Sequence, residues 1–184
     1  MNKSVISVLG QDRPGIIAAV TAILFKLDCN IENINQTILQ SEFSGIFIVS
    51  TPSDISNDEL CAHLVKGMSH MNLHVHVKPL EHKEKGFSGD SCEPFVITTI
   101  GPDRKGLVAG ITDVIAKYGV NVTNLKAVFK GGGNPSDNIM IYEVDIPDDT
   151  DQNLLRAELR KKASELGLDI SIQHRNIFMS INRI

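Results

Sequence analysis

The chain has 184 residues, of which 42% are hydrophobic and 22% are charged, a composition typical of a folded globular protein. Lysine and arginine number 18 against 22 aspartates and glutamates, and the net charge of −4 argues against direct nucleic-acid binding, because phosphates need basic partners. Three cysteines predict no disulfide framework, and no stretch reaches the roughly 20 apolar residues of a membrane helix. Without a signal-peptide pattern, we expect a cytoplasmic protein with no membrane partner.

In chain order, the first half alternates strand and helix patterns. Strand periodicity and helical apolar stripes predict strands near 4–10, 30–40, 44–51 and 73–79 and helices near 14–28 and 57–71. Pro14 suits the first turn of the first helix, and Asp12 could accept hydrogen bonds from its free N–H groups.

The second half repeats the first. Gly10-Gln-Asp-Arg-Pro-Gly15 returns as Gly101-Pro-Asp-Arg-Lys-Gly106, an offset of 91 residues, and the later elements return at an offset of 95. The four extra residues fall near Gly131–Asn134, which we interpret as a longer hairpin loop. The second half thus predicts strands near 94–101, 120–130, 138–146 and 168–174 and helices near 105–118 and 151–166.

This repeat predicts an α+β protein of two ferredoxin-like βαββαβ units, each with an antiparallel sheet and both helices on one face. The predicted domains are residues 1–80 and 94–184, joined by a charged, Gly- and Ser-containing linker at 81–93. Exposed sheet edges and faces predict that the two units pair with each other as a pseudo-twofold, and the same repeat supports pairing between chains as a homodimer.

The strand, the Gly-x-Asp-Arg-Pro-Gly loop, the apolar helix and the following Asn-Ile-x-Asn resemble the ACT domain, and both halves carry this pattern. The tandem arrangement is similar to the glycine cleavage system transcriptional repressor family. Gln36–Gln40 and the tail from Gln173 to Ile184 are similar to a family of short single-ACT proteins.

The resemblance implies a non-enzymatic regulatory protein that senses a small ligand, such as the amino acid glycine or serine. Its partner would be a regulator or a metabolic enzyme, and transcription of amino-acid metabolism is one output. An ACT-type interaction module without a ligand is the alternative. An enzyme is disfavoured because the sequence offers no nucleophile, paired-carboxylate or metal motif, and we expect no cofactor.

The two loops are the main site candidates, because a strand end, a glycine and a helix start present free N–H groups to a carboxylate. The alternative is that Asp12 only caps the helix and Gly15 only permits close packing. The candidate ligand-binding residues are Gly10, Gln11, Asp12, Arg13, Pro14, Gly15, Asn30, Ile31, Gly101, Asp103, Arg104, Gly106, Asn121 and Val122.

Several candidates carry an alternative. Asn33 and Asn124 are interpreted as turn residues, and Arg13 and Arg104 as solvated arginines. His74 and His76 alternate on a strand as a metal pair would, but an exposed strand face explains them better. Because Pro14 fixes φ where the second loop has Lys105, we expect the first loop to bind the ligand more tightly.

Overall fold

The computed structural model describes residues 2–81, 91–129 and 138–181. The chain divides into two compact units, Met1–Lys83 and Glu84–Ile184, called here the first and second unit. The predicted hairpin loop at Gly131–Asn134 and the terminal residues 182–184 lie outside the described residues, as does most of the predicted linker.

The first unit folds as β1(Asn2–Gln11), α1(Ile16–Lys26), β2(Asn30–Leu39), β3(Glu42–Thr51), α2(Asn57–Gly67) and β4(His74–Pro79). A short 3₁₀ turn at Ser69–Met71 follows α2. The strand order is β2-β3-β1-β4, and every neighbouring pair is antiparallel. This is the predicted ferredoxin-like arrangement.

The second unit repeats it as β5(Cys92–Gly101), α3(Leu107–Lys117), β6(Asn121–Phe129), β7(Asn138–Pro147), α4(Gln152–Glu165) and β8(Asp169–His174). Its strand order is β6-β7-β5-β8, again antiparallel. β5 begins at Cys92, so the last two residues of the predicted linker belong to the strand. The α+β fold class of two βαββαβ units is confirmed.

Each unit has its own core between the sheet and the helices. Alternate residues of β1 and β3 point into the first core, where Ile6, Phe47 and Val49 are fully buried. They meet the apolar stripes of α1 and α2, represented by Val20 and Leu64. Each such side chain contributes roughly 1.5–3 kcal/mol to the stability of its unit by leaving water.

The largest difference from the predicted elements is at the end of α2, which stops at Gly67, four residues before the predicted end, and is followed by the 3₁₀ turn. α1 begins at Ile16 and α3 at Leu107, two residues later than predicted in each case. Pro14 therefore lies before the helix and outside its first turn. The reason is that Gly15 and Gly106 adopt left-handed backbone angles, which a continuing helix does not contain.

The C-terminal tail forms a helix that the sequence analysis did not predict. α5(Arg175–Ile181) follows β8 directly and packs against β5 and β8. Arg175 lies 3.9 Å from the carboxylate of Glu143, between Nη1 and Oε2. Val96, which lies on the face of β5 turned away from the core, is buried. α5 thus covers part of the otherwise open face of the second sheet.

Candidate ligand-binding site

The first candidate loop ends in a helix start that no side chain caps. Gly15 is the N-cap of α1 with φ 98° and ψ −5°, and no side chain accepts a hydrogen bond from the first turn. The first bond of the helix runs from the Ala19 N–H to the Gly15 carbonyl at 2.8 Å. The N–H groups of residues 16–18 therefore lack a partner within the helix.

The second loop has the same geometry. Gly106 is the N-cap of α3 with φ 90° and ψ −3°, again without a capping side chain. The Gly110 N–H donates to the Gly106 carbonyl at 2.9 Å. Both N-cap glycines thus adopt the same backbone conformation, although Pro14 precedes one and Lys105 the other.

The other two long helices are capped. The Ser56 hydroxyl accepts from the Glu59 N–H at the start of α2 at 3.2 Å, and Glu59 bonds back to Ser56 in a capping box. At the start of α4, Asp151 accepts from the N–H groups of Asn153 and Leu154, each at 3.0 Å. The alternative in which Asp12 caps α1 is therefore wrong, because α1 has no side-chain cap. Among these four helices, only those at the candidate loops begin uncapped.

A shallow groove lies beside each uncapped helix start. In the first unit, the groove is lined by Asp12, Arg13, Gly15, Ile16, Ile17, Ala18, Gln36 and Phe43. In the second unit, residues 103–109 line the corresponding groove. The free N–H groups, a carboxylate and an arginine therefore lie together in each unit, which is an arrangement that could hold a zwitterion.

A family model described as the ACT domain matches this chain twice, at residues 3–78 and 93–173. The chain belongs to the ACT domain family.

Curated relatives match about half of the chain and nearly all of their own length. The UPF0237 protein of Methanopyrus kandleri is 35% identical over 95 residues, which cover 48% of this chain and 96% of the relative. The UPF0237 protein of Methanocaldococcus jannaschii is 37% identical over 92 residues, which cover 48% of this chain and 96% of the relative. These relatives thus have the length of one ACT unit.

Two solved structures resemble the whole tandem. A protein of unknown function from Galdieria sulphuraria has a TM-score of 0.77 at 21% identity, over 94% of this chain and 98% of its own. A candidate glycine cleavage system transcriptional repressor has a TM-score of 0.68 at 19% identity, over 94% of this chain and 96% of its own. At such identities the likeness establishes the shared tandem fold.

The first glycine of each ACT loop has a packing role. A Cβ on Gly10 would lie 2.8 Å from a methyl group of Leu73. A Cβ on Gly101 would lie 2.7 Å from Leu168 and 2.9 Å from the Gly167 carbonyl. A Cβ at position 101 would collide with a backbone carbonyl, whereas one at position 10 would require the Leu73 side chain to move. Gly10 and Gly101 thus allow the start of the last strand to approach the loop. Their presence in both halves does not depend on a ligand.

The two arginines of the loops differ in their contacts. Arg104 donates a hydrogen bond through Nη2 to the carbonyl of Leu166, beside the C-terminal end of α4. Arg104 is exposed, as expected of a surface arginine, and this hydrogen bond also ties it to another element of its unit. Arg13 is half-buried in the first groove, and Gln11 is exposed at the end of β1.

The asparagines predicted to join the site start the second strand of each unit, at the other end of the helix. Asn30 and Ile31 line a separate groove with Phe25 and Cys29, while the loop lies at the opposite end of the 11-residue α1, about 16 Å away. Ala18 is shared by both grooves, which are therefore neighbours. Asn121 and Val122 hold the equivalent place in the second unit.

Asn33 and Asn124, interpreted from the sequence as turn residues, lie within β2 and β6 and pair in the strand register, so that interpretation is wrong. Asn33 is exposed, and Asn124 donates from Nδ2 to Oε1 of Glu143 at 2.8 Å, so it is tied to the neighbouring strand. His74 and His76 are both exposed on β4. Across the described ranges, no group of three His, Cys, Asp or Glu side chains is placed to hold a metal ion.

A small charged cluster fixes the start of β2. Lys3 Nζ lies 2.7 Å from Glu32 Oε2, and the Ser50 hydroxyl donates to the other carboxylate oxygen. These hydrogen bonds lower the pKa of Glu32. The cluster joins β1, β2 and β3 next to an irregularity in the pairing of β2, and so holds Asn30 and Ile31 in position.

None of the helices in the described ranges is long and apolar enough to cross a membrane.

Proposed function

We propose that this tandem ACT protein is a non-enzymatic regulator that binds a small amino acid, such as glycine or serine, at the Gly10–Gly15 and Gly101–Gly106 loops. Binding changes its affinity for a partner protein, which is a transcriptional regulator or a metabolic enzyme of amino-acid metabolism. By thermodynamic linkage, the partner changes the affinity for the amino acid by the same factor. Such a protein acts in the cytoplasm, where these partners are found.

The observation that carries the proposal is the pair of uncapped helix starts. Each presents three backbone N–H groups without a helical partner at the positive end of a helix, next to a groove. An amino-acid carboxylate satisfies these donors. Asp12 or Asp103 is placed in the same groove to accept from the ammonium group. The resemblance to a candidate glycine cleavage repressor supports an amino-acid ligand of this size.

Removing one donor from each loop tests the proposal. Ala18 and Ala109 are matched, exposed residues in the first turns of α1 and α3. Ala18→Pro deletes one N–H in the first turn of α1, where no hydrogen bond within the helix is lost, and Ala109→Pro does the same in the second unit. A hydrogen bond to a charged group contributes about 1.5–3 kcal/mol, so we expect each variant to weaken its own site about 10- to 150-fold in calorimetric titrations with glycine and serine.

Ala18→Ser and Ala109→Ser are the matched controls, because they change the side chain and keep the N–H group. We expect both to bind as the unaltered chain does. If neither amino acid binds to the unaltered chain, or if both proline variants bind normally while folded, the ligand-binding proposal is wrong.

A second candidate function, an interaction module without a ligand, is favoured by exposed side chains on α1 and on the uncharged part of the edge strand β2 of the first unit. We call these side chains the α1–β2 surface and define it by Ala22, Phe25, Asn35, Ile38 and Leu39. Phe25 is 84% exposed on α1, and Leu39 is 76% exposed on the edge strand β2. Proteins normally protect long edge strands with charges, but β2 carries none between Asn33 and Leu39.

The partner that fits the α1–β2 surface is a second copy of this chain. Two copies of β2 can pair antiparallel about a twofold axis without placing like charges opposite each other. The equivalent surface of the second unit is charged, because Asp113 replaces Ala22 and Lys126 replaces Asn35. Self-association of this kind is compatible with amino-acid binding and does not require it.

A further inference from the structure

The core of the second unit contains three polar side chains, which we call the buried polar row: Thr99, Asn138 and Tyr142. All three are fully buried on the core face of neighbouring strands β5 and β7. Thr99 pairs with Met140 in the strand register, so it lies diagonally between Asn138 and Tyr142. Asn138 itself pairs with Gly101, the first residue of the second loop. The row therefore runs from the loop into the core.

Most polar atoms of the row lack a hydrogen-bond partner. Within the part of the chain that the structure describes, this holds for the Thr99 hydroxyl and for both the nitrogen and the oxygen of the Asn138 amide. The Tyr142 hydroxyl donates only to the Met140 sulfur, at 3.3 Å, which is a weak acceptor. The Thr99 hydroxyl lies beside that of Tyr142 without forming a hydrogen bond of good geometry. A buried polar group without a hydrogen-bond partner lowers the stability of the fold, so the row needs an explanation.

The fold does not require these polar groups. At the equivalent positions, the first unit carries Val8, Phe43 and Phe47, all buried and in the same strand register. The two units otherwise have the same strand order and the same loop conformation. The polar row is thus a property of the second unit alone and needs an explanation other than packing.

The position of Asn138 connects the row with the candidate site. Its counterpart Phe43 lines the groove of the first loop, together with Asp12 and Gly15. By the repeat, Asn138 holds the position of Phe43 in the second unit, next to Gly101 in the strand register, but it is fully buried and residues 103–109 form the groove surface above it. An apolar ring closes this place in one unit, and an unpaired amide occupies it in the other.

We propose that the buried polar row is the inner part of the second ligand site and pairs with the uncharged polar side chain of an amino acid held at the Gly101–Gly106 loop. The inference rests on the proposed function and adds the chemical class of ligand. The Asn138 amide offers one donor group and one acceptor, and the Thr99 hydroxyl can act as either. A hydroxyl or carboxamide side chain, as in serine or asparagine, matches these groups. A charged side chain would be disfavoured by desolvation.

The two units then differ in ligand preference. Phe43 and Val8 offer no hydrogen bond, so the first unit takes glycine or an amino acid with a small apolar side chain. The second unit discriminates in favour of a polar side chain, because a site with unpaired polar groups rejects a ligand that cannot pair them. One chain would thus bind two kinds of amino acid, one in each unit.

The test uses the full chain with Ala18→Pro, which weakens the first site, and titrates glycine, alanine, serine and asparagine by calorimetry. Thr99→Val introduces the residue type of the first unit without changing the shape of the side chain, and Asn138→Leu nearly preserves the volume. Before substitution, we expect serine or asparagine to bind at least 10-fold more tightly than alanine. Each substitution should reduce this preference about 3- to 10-fold while alanine binding stays unchanged. Thr98→Val, on the opposite face of the same strand, is the matched control and should keep the preference.

The stability of the variants separates lost recognition from misfolding. Because Thr99→Val removes an unpaired buried hydroxyl, its urea midpoint should be equal to or higher than that of the unaltered chain. If Asn138→Leu does not fold, the binding preference is therefore measured with Thr99→Val alone. If alanine binds as tightly as serine and asparagine, or if both variants keep the preference, the inference is wrong and the proposed function stands. If no amino acid binds to the unaltered chain, both the inference and the proposed function fail.

Discussion

Gly15 and Gly106 have φ values of 98° and 90°, a region that residues with a Cβ rarely adopt. A Cβ on Gly106 would contact nothing within 4 Å, and one on Gly15 would lie 3.8 Å from Met71, an ordinary contact. The expectation that Gly15 serves close packing is therefore not supported by this distance. The backbone conformation itself demands glycine at both helix starts.

Alanine at position 106 measures the cost of that conformation without a steric contribution. We expect Gly106→Ala to lower the free energy of unfolding by about 1–2 kcal/mol, because the left-handed region is unfavourable for L-residues by that amount. Gly106→Asn should cost less, since asparagine tolerates this region. Urea unfolding of both variants provides the measurement. Equal costs for alanine and asparagine would contradict the conformational explanation.

Tyr142 predicts a specific loss of stability at alkaline pH. Burial raises the pKa of its hydroxyl to about 12, and the neighbouring Thr99 hydroxyl partly offsets the rise. An unfolded tyrosine ionises near pH 10. Between about pH 10 and pH 12, the unfolded chain therefore loses this proton while the folded chain retains it, and the free energy of unfolding falls as pH rises.

Tyr142→Phe, which introduces the residue found at the equivalent position of the first unit, should make that fall less steep. The measurement is urea unfolding of both chains from pH 8 to pH 11. Hydrogen bonding to Glu158 raises the pKa of Tyr118, which has an effect of the same sign. That contribution is common to both chains and cancels in the comparison. Identical slopes would show that Tyr142 does not titrate differently in the folded and unfolded chains.

At the scale of the elements, periodicity predicted the eight strands and four of the five helices of the described ranges. Their predicted ends lie within two residues of the observed ends, except for the end of α2. Apolar residues at a spacing of two or of three and four report directly which side chains face a core. The starts of α1 and α3 were less predictable, because they depend on the backbone angle of a single glycine. A seven-residue helix such as α5 has too few turns to show a periodicity, and its position depends on packing against β5 and β8.

The candidate site was only partly predictable for the same reason. The sequence identifies the glycine loops, but it cannot show that Asp12 leaves the helix uncapped or that Asn30 lies in a separate groove. Thr99 and Asn138 were missed because a polar residue in a strand is ordinary until its partner strand is known. The repeat held a signal that could have found them, since it aligns Thr99 with Val8 and Asn138 with Phe43.

For the molecule as a whole, the α1–β2 surface predicts self-association through the first unit. α1 contacts β2, whereas α2 contacts β4, so antiparallel pairing of two β2 strands brings the two α1 helices together on one side of a continuous sheet. Phe25 and Ala22 are exposed on α1. We expect one interface to cover both the free edge of β2 and these side chains.

Exchanging residues between the units tests this prediction. Ala22→Asp with Asn35→Lys places the charges of the second unit on the first, at positions where the same fold already tolerates them. We expect the unaltered chain to sediment as a dimer and the double variant to dissociate at least 10-fold more easily, because desolvated charges oppose pairing. Asp113→Ala with Lys126→Asn is the reverse control and should leave the dimer intact. A monomeric unaltered chain at every concentration measured would contradict the prediction.

The short helix α5 and the core strands of the second unit should differ in how strongly their backbone amides are protected against hydrogen exchange. The helix contacts β5 and β8, and Arg175 lies 3.9 Å from Glu143, whereas the core on the other face of the sheet is closed by two longer helices. Such a segment can detach without unfolding the unit, and local openings of this kind have a much smaller free energy than global unfolding. In hydrogen exchange, the amides of α5 should therefore lose protection long before those at the centre of β5 and β7. We therefore expect α5 to cover its face of the second sheet for only part of the time.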